Sequence, residues 1–135
     1  MKQYQWNYDD SGNIIYDYSS KELSRRKHYL KQVDQYSKLK VEDFEKSVLP
    51  GRTIMAYGAG YGKTSALRQF ICKPSTYRDG VVVATHRIEY VDQLAYDIAA
   101  MLDDTERELV VALHSKSEAS SLSVSSNIAA ISYAS

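Results

Sequence analysis

Gly60-Tyr61-Gly62-Lys63-Thr64 is the stretch of this 135-residue chain whose residue types and spacing suit a definite chemistry, the cradling of phosphate. Glycines let the backbone turn so that successive N–H groups aim at phosphate oxygens. A helix opening directly behind the loop adds the partial positive charge of its N-terminus. Lys63 would reach the β- and γ-phosphates of a nucleotide, and the Thr64 hydroxyl would ligate Mg²⁺. Gly58 and Ser65 complete the candidate set, which runs Gly58, Gly60, Tyr61, Gly62, Lys63, Thr64, Ser65. The strict spacing, Gly-x4-Gly-Lys-Thr, asks for glycine at position 57. Tyr57 stands there, with Gly58 one place late.

Such a loop needs a strand before it and a helix after it. Thr53-Ile54-Met55-Ala56-Tyr57 is apolar enough to be that strand, and Ser65 to Ile71 has helical spacing. An alternation of strand and helix continues downstream. Gly80-Val81-Val82-Val83-Ala84-Thr85 is a continuous apolar run of the kind buried on both faces of a parallel sheet. Ile88, Val91, Leu94, Ala95, Ile98 and Leu102 then repeat at helical intervals. Leu109 to Leu113 and Asn127 to Ser132 are further strand candidates. Between them, Ser115 to Ser126 holds seven serines in twelve residues and reads as a loop. Repeated β–α–β units imply an α/β fold, a parallel sheet with helices on both sides.

Upstream of the loop the pattern differs. Tyr4, Trp6 and Tyr8 alternate, Asp9 to Asn13 supplies turn residues, and Ile14, Tyr16 and Tyr18 alternate back, which predicts a β-hairpin. An isolated two-stranded hairpin is marginal, so its aromatic residues must pack on something. Ser19 with Glu22 has the spacing of a capping box and opens a helix expected to run to about residue 47. Lys21, Arg25, Arg26, Lys27, Lys31, Lys38 and Lys40 make that helix basic, and a solvated face is the simpler reading of the charge. Pro50-Gly51 punctuates the chain, dividing it into an N-terminal hairpin and basic helix (1–48) and a nucleotide-binding part (49–135).

Composition sets outer bounds. Hydrophobic content of 44% and charged content of 25% mark a globular chain rather than a disordered one. Seventeen basic and seventeen acidic residues cancel, so no global field draws the chain to nucleic acid or membrane. The single Cys72 excludes an internal disulfide and a cysteine zinc cluster, and His86 and His114 have no partners at metal spacing. With no apolar run of membrane length and a polar N-terminus, an intracellular setting is expected, cytoplasmic or else nuclear or at a viral replication site.

In this order the motifs resemble the start of the first motor domain of a superfamily 2 helicase of the DEAD/DEAH-like class. Gly60 to Thr64 resembles its motif I, and Val81 to Arg87 followed by Asp92-Gln93-Leu94-Ala95 resembles its motif Ia. Val111 to Ser115 and Ile131-Ser132-Tyr133 resemble the core strands that follow. The resemblance implies an incomplete RecA-like P-loop fold, ATP with Mg²⁺ as ligand, and nucleic acid and a second motor domain as partners. It also implies phosphodiester contacts at Thr85, His86, Arg87 and Ser132, of a sequence-independent, salt-sensitive kind.

A P-loop hydrolase also requires a strand ending in Asp, usually followed by Glu. The family places it after the strand that here ends near Ser132, so the chain is expected to be a fragment or truncated frame that binds nucleotide without hydrolysing it. Its incomplete sheet is expected to leave an exposed edge and uncovered apolar surface. Two other readings stand beside this one. Ala99-Ala100-Met101-Leu102-Asp103-Asp104 could supply Asp103 as the acid of a small complete NTPase or nucleotide kinase, although it reads as a helix end. The chain could also bind partners, without catalysis, through its hairpin and basic helix.

Overall fold

In the computed structural model, residues 3–48, 50–58, 60–113 and 128–132 are described. His114, the serine-rich stretch, Asn127 and Tyr133 lie outside them. The described chain is α/β. A short antiparallel hairpin, β1 (Asn7–Tyr8) and β2 (Ile14–Ile15), is followed by helices α1 (Ser20–Tyr36), α2 (Val41–Ser47), α3 (Lys63–Ile71) and α4 (Pro74–Tyr77). Then come β3 (Val81–Thr85), α5 (Ile88–Met101), β4 (Val110–Leu113) and β5 (Ile128–Ser132).

The last three strands form a parallel sheet in the order β3-β5-β4, with Val81 opposite Ile128 and Val110 opposite the same residue. α5 packs on the sheet, burying Val91, Leu94 and Ile98 against Ile128 and Ala130, with Val81, Val83, Val110 and Ala112 alongside. Burial alternates along β3, and Val82 is 62% exposed. Among the described residues β3 is an edge strand, and its face bearing Val82 is uncovered, which corrects the expected burial on both faces and agrees with the expected uncovered apolar surface.

The hairpin forms with the predicted turn chemistry. Asp9 Oδ1 accepts the N–H groups of Ser11 and Asn13, both at 2.9 Å, while Gly12 adopts φ +85°. Its aromatic residues do find a platform. Trp6 and Tyr16 pack on the buried Tyr96 of α5, beside Leu23 and Leu30 of α1. The Arg26 guanidinium lies 4.3 Å over Trp6 and 4.5 Å over Tyr4, and it pairs with Asp97 of α5 at 2.7 Å in a buried ion pair.

Two expectations fail here. The capping box does not form: Ser19 makes no side-chain cap bond, and the Glu22 carboxylate is taken by Arg25 at 2.9 Å. Nor does the helix run on to residue 47, for it stops at Tyr36 and restarts at Val41. Geometry explains the break. In a continuous helix Leu39 would sit roughly 160° around from Leu23, on the solvated side. Breaking the helix instead buries Leu39 beside Phe44 and Ala66. The cores thus cross residue 48, joining α2 to α3 and α1 to α5. Among the described residues no helix is long and apolar enough to cross a membrane.

Candidate phosphate-binding site

The loop from Gly58 to Gly62 leads directly into α3, whose first N–H groups lack intrahelical acceptors as at any helix start. Two of its glycines hold conformations that residues with a Cβ rarely adopt, Gly60 at φ +75° and Gly62 at φ +106°. Gly62 is also closely packed. A Cβ there would lie 1.9 Å from Ser37 Oγ, in the linker between α1 and α2. That linker grips the loop further, since Leu39 N–H donates to the Tyr61 carbonyl at 2.8 Å.

The result is a cleft of about 410 Å³ between the end of α1 and the start of α3, lined by Val33, Tyr36, Ser37, Gly60, Gly62, Lys63, Thr64 and Ser65. Lys63 Nζ donates to the Tyr57 carbonyl at 3.1 Å, folding the amine across the loop. Thr64 is exposed, and Tyr61 stacks on Tyr57 with ring centroids 5.3 Å apart. Ser65 is buried and already engaged. Its hydroxyl donates to Asp34 at 2.5 Å and accepts from Gln69 at 3.2 Å, so only its backbone N–H is left for a ligand. Asp34 also receives the buried Arg68 guanidinium at 2.5 Å. Sequence reasoning missed Asp34, because its partners lie 31 and 34 residues away and its local pattern is merely that of a polar helix residue.

The strand expected before the loop is absent. Thr53 to Tyr57 joins no sheet, Ile54 is 96% exposed, and Met55 and Tyr57 pack toward Leu39, Phe44 and Ala66. The segment keeps a strand-like alternation of burial from Ile54 to Tyr57 without pairing to the sheet β3-β5-β4.

Thr85 and Ser132 are register neighbours at the C-terminal edge of the sheet, and His86 and Arg87 follow before α5 begins. The backbone therefore brings the four residues together at one edge. Both Arg87 and His86 are exposed, and Arg87 N–H reaches Thr85 Oγ1 at 3.5 Å. Asp103 does not join the loop. It follows α5 in a turn and shares a cleft with Ser24 and Lys27 near the start of α1, whereas the loop opens at the other end of that helix. Nine helical residues, about 14 Å, separate Lys27 from Tyr36. Among the described residues no group of three or more His, Cys, Asp or Glu could hold a metal ion.

The fold and this cleft together define an α/β protein with a glycine loop at a helix N-terminus. Comparison with protein-family models, with curated proteins and with solved structures gives no match.

Proposed function

We propose that the chain is the ATP-binding segment of a superfamily 2 helicase-like, nucleic-acid-dependent ATPase, and that phosphates bind at Gly58 to Ser65. The observation that carries this reading is the pair of positive-φ glycines, Gly60 and Gly62, set directly before α3 in a cleft that also holds Lys63. About 410 Å³ is within the range of small-molecule sites. On binding, Lys63 exchanges the Tyr57 carbonyl for the β- and γ-phosphates, a stronger charge-assisted contact. Mg²⁺ enters with the phosphates through Thr64, since such ions rely on substrate oxygens and water more than on protein cages. Among the described residues that line the cleft there is no carboxylate to order the metal or activate water, and binding without turnover is the expected behaviour. The edge bearing Thr85, His86, Arg87 and Ser132 supports a phosphodiester-contact role for the same protein.

Titration with a fluorescent ATP analogue and Mg²⁺ tests the loop. Wild type is expected to bind and Lys63→Ala to lose at least tenfold in affinity, with Asp103→Asn unchanged as the control. Equal binding by wild type and Lys63→Ala would remove the basis for the assignment.

A further inference from the structure

We infer that Asp34 is a positioning residue of the phosphate loop, an inference that rests on the nucleotide-binding reading of that loop. Asp34 stands on α1, yet what it holds is the first two turns of α3. Its Oδ1 accepts the Ser65 hydroxyl at 2.5 Å and Arg68 at 2.5 and 3.1 Å, and its Oδ2 accepts Arg68 again at 3.1 Å. Ser65 and Arg68 are three residues apart and share one face of α3, so a single carboxylate grips both. Arg68 is only 2% exposed, which makes this a buried, multiply bonded contact rather than a surface ion pair. It fixes the rotation of α3 about its axis, and with it the direction of the N–H groups that would meet an anion.

Charge argues against a ligand-binding role for Asp34 and makes its positioning role testable by sign. A carboxylate one residue contact away from an anion site repels that anion. Were Asp34 a bystander, neutralising it would leave ATP affinity unchanged or raise it. If it sets the axis of α3, neutralising it lowers affinity.

The test is a fluorescence titration of the full chain with methylanthraniloyl-ATP and Mg²⁺, alongside thermal melts, for wild type, Asp34→Asn and Ser65→Ala. Asp34→Asn is expected to weaken binding at least tenfold and Ser65→Ala at least threefold. Ser65→Ala keeps the Asp34–Arg68 pair, so it decides the matter even where Asp34→Asn fails to fold. The loss is expected to be larger for methylanthraniloyl-ATP than for methylanthraniloyl-AMP, a ratio that a simple loss of folded protein would not move. If Lys63→Ala loses binding while folded Ser65→Ala, and Asp34→Asn where it folds, bind like wild type or tighter, the inference falls and the nucleotide reading stands. If wild type itself does not bind, both fall.

Discussion

Replacing Gly62 with alanine separates the two reasons that position carries glycine. The first is backbone: at φ +106° an L-residue is strained, by about 1–2 kcal/mol for a left-handed residue and up to about 3 in sparser regions. The second is contact, because the new Cβ would meet Ser37 Oγ at 1.9 Å and Ser37 Cβ at 3.1 Å. Relieving that overlap means turning the Ser37 hydroxyl out of its bond to Leu39 O at 3.0 Å, or shifting the buried linker whose Leu39 N–H holds the loop. Overpacking of this kind costs about 1–3 kcal/mol. The sum is about 3 kcal/mol, or on the order of 10 °C in Tm for a chain of this size. Gly60→Ala carries only the strain, since nothing lies within 4 Å of its Cβ position, and Gly58→Ala carries neither cost. Urea and thermal unfolding of the three variants should therefore rank them 62 worst, 60 intermediate and 58 near wild type. Adding Ser37→Gly to Gly62→Ala should recover the contact part, giving a coupling of at least about 1 kcal/mol in a double-mutant cycle. If Gly62→Ala is no worse than Gly60→Ala, or the cycle shows no coupling, the packing of the α1–α2 linker on the loop is refuted.

Burial and the sheet edge give three further expectations. Burial pushes the Cys72 thiol from its ordinary 9.0 up to about 12, and burial, then the nearby Asp92, pushes Tyr16 from 10.0 up to about 12. Both shifts favour the neutral form in the folded state, so their stability is fully present below pH 9 and is lost as pH rises from 9 to 12. The urea midpoint should fall across that window. Cys72 should also label with a disulfide reagent at pH 8 much more slowly than a free thiol, since burial disfavours its thiolate. Fast stoichiometric labelling of native protein would contradict this. For the sheet edge, Arg87→Ala should weaken binding of a single-stranded oligonucleotide regardless of its sequence and lower the salt slope by about 1. An unchanged slope would exclude Arg87 as a phosphodiester contact.

Local rules carried most of the secondary structure. Period-two alternation located the hairpin and the 3.6 period located α5, while short apolar runs located β3, β4 and β5. Glycine placement likewise anticipated the turn before α3. What stayed hidden depends on contacts across long stretches of chain. Leu39 leaves the helix because Ala66, far along the chain, offers it a buried place. The charge of Arg26 looked like part of a solvated basic face, but Asp97 and the rings of Trp6 and Tyr4 enclose it. Neither Asp97 nor Asp34 has any local signature of pairing.

The segment before the loop bears on how the loop keeps its shape. A strand in a sheet would anchor Gly58 to Gly62 through a hydrogen-bonded ladder. Thr53 to Tyr57 has the apolar content of a strand but joins no sheet, and its inward side chains, Met55 and Tyr57, rest on residues of α2, α3 and the linker. The loop is thus held from its far side, by Leu39 N–H on the Tyr61 carbonyl, by Ser37 against Gly62 and by Asp34 on Ser65 and Arg68. All of these ties originate at or just after the end of α1. A loop anchored this way should soften together with α1, so hydrogen exchange at Tyr61 to Ser65 should rise when the Arg26–Asp97 pair that docks α1 on α5 is removed. A ladder-anchored loop would be indifferent to that change.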